Sequence, residues 1–101
     1  VIENNKDYKI KRIEVNPKGR LSYQYHMKRA ETWTIIKGQG IVTVDGVEKK
    51  ISAGESIKIN KESRHRILNN GDTPLVFIEV QTGTYFGEDD IVRIEDDYNR
   101  K

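Results

Sequence analysis

Apolar and polar positions along this chain alternate with a period of two, not with the 3.6-residue period of a helix. The alternating segments are short, rich in β-branched and aromatic residues, and bounded by Gly, Pro, Asn or Asp. They predict strands at residues 8–15, 21–26, 33–36, 41–44, 47–51, 56–59, 65–69, 75–80 and 91–94. No segment carries a long amphipathic helical pattern. Many short strands separated by regular turn signals are typical of an all-β sandwich or barrel.

Two local patterns refine this prediction. Asp45-Gly46 separates two alternating segments, and this dipeptide favours the type I′ hairpin turn, which needs positive φ at both central residues. In the first strand the apolar residues change parity between Ile10 and Ile13, which predicts a switch of face near Ile13. The residues expected in the core are Trp33, Ile35, Val42, Val44, Phe77 and Val80.

The composition supports one small domain. The chain has 101 residues, which is enough for a single core, and we expect an ordered barrel over about residues 8–98. Hydrophobic residues make up 35 % and charged residues 34 %, so the surface must be strongly charged. The net charge of +2 is spread along the chain and gives no nucleic-acid footprint, and Lys9, Lys11 and Arg12 are expected on a solvated face.

Several protein classes are excluded or disfavoured. Cysteine is absent, which excludes disulfides and thiolate metal sites and fits a cytoplasmic protein. No apolar run reaches the roughly 20 residues of a membrane helix, and the first residues do not have the pattern of a signal peptide.

Four residues stand out as potential metal ligands: Gln24, His26, Glu31 and His65. Gln24 and His26 are two apart in a predicted strand and therefore share a face. One amide oxygen, two imidazoles and one carboxylate suit Zn²⁺, Mn²⁺, Fe²⁺ or Co²⁺. A single Gln-x-His pair, however, is more often a surface or hydrogen-bonded core histidine than a ligand pair.

The spacing of these residues resembles the two motifs of the cupin superfamily. Gly19, Gln24, His26, Glu31 and Gly38 follow the spacing of the first motif, with Gln24 in place of a histidine. In the second motif, this chain has matching residues at Gly54, His65 and Asn69, while Asn60 and Glu62 replace a proline and a glycine. The resemblance implies a cupin barrel, that is, a double-stranded β-helix or jelly roll, and it leaves the geometry of the turn at 60–62 open.

Two longer segments resemble one family more specifically. Residues 22–33 (SYQYHMKRAETW) and 75–93 (LVFIEVQTGTYFGEDDIVR) are similar to the mannose-6-phosphate isomerase domain of the bifunctional mannose-1-phosphate guanylyltransferase/mannose-6-phosphate isomerases. Met27, Lys28 and Thr32 depart from histidines that are frequent there.

The resemblance implies a metal-dependent isomerase that interconverts mannose 6-phosphate and fructose 6-phosphate. It implies one divalent ion, Zn²⁺ first and Mn²⁺, Co²⁺ or Fe²⁺ as alternatives, held by Gln24, His26, Glu31 and His65. It also implies a cytoplasmic setting, a homodimer, and a guanylyltransferase domain in a longer parent chain, unless this chain is a stand-alone relative.

The same resemblance suggests three catalytic candidates, each with a simpler interpretation. Arg29 is a candidate for contact with the sugar phosphate, against an ordinary surface arginine. Glu79 alternates with Phe77 and is a candidate base with a raised pKa, against a solvated residue. Arg93 is a candidate for binding phosphate or stabilising an enediolate, against an ion pair with Glu88, Asp89 or Asp90.

Two other functions are compatible with this sequence. One is a non-catalytic cupin that binds a sugar or a metal. The other is an Fe²⁺-dependent cupin oxygenase, which Gln24 disfavours because a glutamine amide is a weaker iron ligand than imidazole.

Overall fold

The fold is an all-β barrel made of two facing sheets. The computed structural model describes residues 2–4, 6–21, 23–86 and 90–95. Their strands are β1 (Glu3–Asn4), β2 (Tyr8–Val15), β3 (Tyr23–His26), β4 (Arg29–Lys37), β5 (Gln39–Val44), β6 (Val47–Ser52), β7 (Ser56–Ile59), β8 (His65–Leu68), β9 (Leu75–Gly83) and β10 (Ile91–Glu95). One five-stranded sheet has the order β1-β2-β9-β4-β7 and the other has the order β10-β3-β8-β5-β6. The all-β prediction is confirmed.

The predicted strands are all present, and two of them, β4 and β9, extend by three residues or more beyond their apolar patterns. β4 begins at Arg29 and β9 continues to Gly83, and these two extensions pair with each other through Arg29 opposite Gly83 and Glu31 opposite Gln81. Backbone pairing does not depend on side-chain polarity, so the ladder continues where the hydrophobic pattern stops. The extension matters because it carries polar side chains into the barrel.

The hairpin between β5 and β6 has the predicted turn. Asp45 has φ 49° and Gly46 has φ 83°, and Val44 pairs with Val47 across the turn. Positive φ at both central residues is the mark of a type I′ turn.

The apolar core fills the space between the sheets. Its buried members are Val15, Trp33, Ile35, Val42, Ile51, Ile59, Ile67, Leu75 and Phe77. Each such side chain contributes about 1.5–3 kcal/mol by leaving water. Val44, predicted in the core, is partly buried and packs against this cluster. The placement of Val80 was wrong: it lies on the opposite face of β9 from Phe77, across from Ile10 of β2.

The predicted switch of face in β2 is also wrong. The pairing of β2 with β9 runs without a bulge from Tyr8 opposite Thr82 to Val15 opposite Leu75. Because directly opposed residues share a face, Lys9 and Lys11 lie on the same face as Ile13 and the buried Val15.

The two lysines therefore do not belong to an outer, solvated face. Lys9 and Lys11 are half-buried, whereas Arg12, which points the other way, is exposed and pairs with Glu14 at 3.3 Å. On the inner face of β2, the side chains change from apolar at Val15 and Ile13 to cationic at Lys11 and Lys9. The apolar residues of the sequence therefore move from odd to even positions although the strand does not switch face.

Some predictions fall outside the described residues. These are the extent of the ordered barrel to residue 98 and the candidate partners Glu88 and Asp89 for Arg93. Within the described part of the chain, no helix has the length and apolar character needed to cross a membrane.

Candidate metal centre and active site

Three predicted ligands from three strands meet inside the barrel. His26 ends β3, Glu31 lies near the start of β4, and His65 begins β8. Their potential ligand atoms all lie within 4.8 Å of one another. The exposed fractions are 2 % for His26, 2 % for Glu31 and 1 % for His65. The fold thus brings together residues that are up to 39 positions apart in sequence, from His26 to His65.

His65 is held with one ring nitrogen directed towards the cluster. Its Nδ1 lies 3.0 Å from the carbonyl oxygen of Ser63, which can only accept, so Nδ1 carries the proton and donates. Nε2 therefore has the lone pair, and it lies 3.7 Å from Glu31 Oε1. Burial lowers the pKa of His65, which keeps the ring neutral and able to bind a metal.

Glu31 is fixed by donors on both carboxylate oxygens. Trp33 Nε1 donates to Oε1 at 2.9 Å, and Arg29 Nε donates to Oε2 at 3.0 Å. His26 Nδ1 lies 3.6 Å from Oε2. A carboxylate held in this way is a potential ligand whose orientation is set before any metal binds.

Arg29 is a buried member of this cluster. Its exposed fraction is 3 %, so the surface interpretation is wrong. Besides its bond to Glu31, its Nη2 donates to His26 Nε2 at 2.6 Å. Among the described residues, Nη1 has no hydrogen-bond partner. Arg29 therefore neutralises the Glu31 charge and keeps one donor for a further acceptor.

Glu79 and Gln81 extend the polar cluster along β9. Glu79 is buried, as the alternation with Phe77 predicts, and Gln81 Nε2 donates to its Oε2 at 2.5 Å. Burial first, and the neighbouring Glu31 charge second, raise the pKa of Glu79 to about 7. Glu79 can therefore exist in both protonation states near neutral pH.

The turn before β8 connects both histidines. Glu62 has φ 65°, so it adopts the left-handed conformation that the glycine of the motif would favour. Its backbone N–H donates to the His26 carbonyl at 2.6 Å, while the next residue, Ser63, holds the His65 ring. The turn at 60–62 therefore keeps a conformation that suits the glycine of the motif, although Glu62 is strained in it.

Gln24 and Arg93 are placed by strand pairing. Gln24 is opposite His65 in the β3–β8 pair, so its side chain shares the face of His65 and His26. The backbone of β10 sets Arg93 directly opposite Gln24. The roles of these two residues stay predictions.

The donor set fits a divalent cation. Two imidazoles and one carboxylate are ligands for Zn²⁺ and its neighbours in the first transition row. The strongest observation is the buried His65 Nε2, which has no hydrogen-bond partner among the described residues. A buried acceptor without a donor is costly, and a metal ion would satisfy it.

The sequence reasoning missed two contributors to the site. Gln81 is fully buried and holds Glu79, and the indole of Trp33 holds Glu31 in addition to packing in the core. The signal for Gln81 was present, because it is two residues from Glu79 in the same strand. The indole bond had no sequence signal, since an apolar core position for Trp33 explained the pattern completely.

The sequence comparisons point to one family. The family described as "Mannose-6-phosphate isomerase C-terminal" matches residues 1–96. A protein of Escherichia coli named mannose-1-phosphate guanylyltransferase is 42 % identical over 100 residues, which are 99 % of this chain and 21 % of that protein. The alginate biosynthesis protein AlgA of Pseudomonas aeruginosa is 45 % identical over 93 residues, 92 % of this chain and 19 % of AlgA. The chain thus spans about a fifth of the length of these curated relatives.

The comparison with solved structures concerns the fold. An uncharacterised conserved protein of Klebsiella pneumoniae with a double-stranded β-helix domain superposes with a TM-score of 0.83 at 20 % identity, covering 94 % of this chain and 81 % of that one. The predicted cupin fold is therefore confirmed.

Proposed function

This chain belongs to the mannose-6-phosphate isomerase C-terminal family, and we propose that its barrel interconverts mannose 6-phosphate and fructose 6-phosphate in a metal-dependent reaction. The observation that carries the proposal is the buried group of His26, Glu31 and His65, with the His65 Nε2 lone pair unpartnered among the described residues. The burial of this group inside the barrel supports a cation site rather than a surface contact.

The proposed reaction moves a proton between adjacent sugar carbons through an enediol(ate). It requires a base, stabilisation of a developing oxyanion, and a cationic group for the phosphate. Gln24, His26, Glu31 and His65 would hold the metal, with Zn²⁺ as the first candidate. When bound, the ion supplies electrophilic stabilisation of the sugar oxygens.

Glu79 is the proposed proton carrier. Its carboxyl group is buried beside Glu31, and its pKa of about 7 lets it accept a proton from carbon and return it near neutral pH. The amide of Gln81 fixes Oε2, which leaves Oε1 of Glu79 as the atom proposed to exchange the proton.

Arg29 is proposed to stabilise the charge that develops on the sugar. Its Nε donates to the ligand Glu31, which fixes the orientation of the guanidinium beside the proposed metal site. Nη1 is the donor proposed to contact the oxyanion. Arg93, whose backbone lies opposite Gln24, is proposed as a second cationic contact.

The wider setting is proposed from the relatives. The Escherichia coli relative is a mannose-1-phosphate guanylyltransferase, and both it and AlgA are about five times as long as this chain. We propose that the barrel works as the isomerase part of such a longer, cytoplasmic protein. The homodimer also stays a proposal.

The decisive experiment is an isomerase assay on stripped and reloaded protein. Wild type loaded with Zn²⁺, Mn²⁺ or Co²⁺ should convert mannose 6-phosphate to fructose 6-phosphate, detected through a coupled reaction. His65→Ala removes the imidazole whose Nε2 is unpartnered among the described residues, and it should lower metal content and turnover together, whereas Lys61→Ala in the adjacent turn should change neither. Metal-loaded wild type without isomerase activity, or equal metal binding by the His65 variant, would contradict the proposal.

A further inference from the structure

The inner face of the first sheet has a polar row that leads from Glu31 to the rim of the barrel. Gln81 of β9 is directly opposite Glu31 of β4 on one side and Lys9 of β2 on the other. The three side chains therefore share one face of the sheet. Neighbouring strands are about 4.8 Å apart, so the backbones of Lys9 and Glu31 are separated by roughly 10 Å.

Lys9 also lines an open cavity of about 400 Å³ at the end of this row. The cavity is lined by Asn4, Lys6, Lys9, Thr84, Tyr85 and Phe86. The segment from Thr84 is tied to the start of β4, because Thr84 N–H donates to the Lys28 carbonyl at 3.1 Å and Gly83 pairs with Arg29. The cavity therefore adjoins the strand ends that carry Arg29 and Glu31.

The cavity has a cationic and aromatic character. Two lysines, Lys6 and Lys9, and the hydroxyl-bearing residue Thr84 are among its lining residues. A third ammonium lies beside it, because Lys28 Nζ is 5.1 Å from the centre of the Tyr85 ring. A phosphate monoester carries a charge near −2 at pH 7, and such a group is the natural ligand for this surface.

A buried acceptor lies between the cavity and the ligand group of His26, Glu31 and His65. Gln81 is fully buried, and its Oε1 has no hydrogen-bond partner among the described residues. A hydroxyl-bearing ligand that reached from Lys9 towards Glu31 would pass this position and could donate to it. Lys9, the amide of Gln81 and Glu31 thus follow one another along the inner face of the sheet.

We propose that Lys9, assisted by Lys6, forms the subsite that binds the phosphate of the substrate while the reacting carbons lie at the ligand group of His26, Glu31 and His65. This inference rests on the proposed isomerase function and adds the residues that hold the phosphate. A hexose 6-phosphate reacts at C1 and C2, at the far end from its phosphate, which suits a cation placed roughly two strands from Glu31.

The test separates phosphate binding from chemistry. Lys9→Gln should weaken binding of inorganic phosphate and raise KM for mannose 6-phosphate by roughly ten- to a hundredfold, the loss of one charge-assisted contact, with kcat changed little and metal binding unchanged. Lys9→Arg should restore most of the affinity. The matched control is Lys58→Gln, an exposed lysine of β7 opposite Thr32 on the outer face of the sheet, which should behave as wild type.

The outcomes distinguish failure of this inference from failure of the proposed function. If wild type isomerises and Lys9→Gln keeps its KM, the phosphate lies elsewhere and the inference is overturned. If wild type does not isomerise, calorimetry with inorganic phosphate still decides it: binding by wild type that is lost in Lys9→Gln supports the subsite. Equal binding by both proteins, or none by wild type, rejects it.

Discussion

Replacing Glu79 by glutamine should stabilise the metal-free protein at alkaline pH. Glu79 has an exposed fraction of 5 % and lies beside a second carboxyl group, that of Glu31. Glutamine has nearly the same shape, can accept the hydrogen bond from Gln81 and can donate to Glu31. The substitution removes the ionisation and leaves the packing in place.

The magnitude follows from the shift of the Glu79 pKa. Burial and the Glu31 charge raise this pKa from 4.5 to about 7, so the folded state holds the proton more tightly than the unfolded state. A group with a raised pKa contributes stability that is present below pH 4.5 and is lost as pH rises to 7. At about 1.4 kcal/mol per pKa unit, the wild type should lose about 3 kcal/mol across this window, and the Glu79→Gln variant should not.

Urea unfolding with excess chelator provides the measurement. Trp33, the single tryptophan of the chain, is 1 % exposed and reports on the core by fluorescence. At pH 8 the variant midpoint should exceed that of wild type by roughly 1–3 M urea, given typical slopes for small proteins, and the two should converge near pH 4.5.

Other groups do not produce this pattern. The lowered pKa of His65 costs stability only as pH falls below 6.5, so it does not produce a difference between the two proteins at pH 8. A variant that is equally stable or less stable than wild type at pH 8 would refute a buried, ionising Glu79.

Three further changes test other parts of the structure. Glu62→Gly should raise the free energy of unfolding by up to about 1 kcal/mol because glycine relieves the positive φ, and no gain in thermal stability would show that this residue is unstrained. Trp33→Phe should cost about 1–3 kcal/mol by removing a donor from buried Glu31, as read by circular dichroism in urea, and weaken metal binding; unchanged metal affinity would limit the indole to packing. Arg93→Ala should lower isomerase turnover at unchanged metal content and far-UV circular dichroism, and activity loss that tracks unfolding would make Arg93 a structural residue.

The strand pattern and the ligand group could be predicted from the sequence for different reasons. Period-two alternation is local, and each strand that packs on the core carries it, as with Phe77 and the buried Leu75 of β9. The ligand group could be predicted through motif spacing, because two histidines and one glutamate at fixed offsets mark strand positions that point into the same barrel interior. His26, Glu31 and His65 are together in the structure as this spacing implies.

The polar part of the inner face could not be predicted from local pattern. Lys9 and Lys11 occupy inward positions, yet lysine is usually solvated and its alternation with Ile10 favoured the opposite face. Only the long-range pairing of β2 with β9 reveals the true register. The hydrophobic pattern does not predict this register, because the inward positions near the site carry polar residues instead of the apolar ones on which the pattern depends.

The inner face of the sheet that contains β9 changes from apolar to polar side chains within four residues, from Phe77 to Gln81. Phe77 lies between Ile13 of β2 and Ile35 of β4, and this row across the sheet is wholly apolar. Gln81 lies between Lys9 of β2 and Glu31 of β4, and this row is polar. Buried charges weaken a fold unless they are compensated. The polar part of this face, around Gln81, therefore depends on the stability that the apolar part, around Phe77, provides by burying hydrophobic side chains.

Trp33 joins the two halves. Its ring centre is 4.7 Å from that of Phe77 and 5.5 Å from that of His65, and its indole holds Glu31. A substitution in the apolar row can therefore disturb the ligands without touching them. Conversely, a cation bound by His65 and Glu31 would stabilise the folded state by its binding free energy and offset the charge that the barrel has buried.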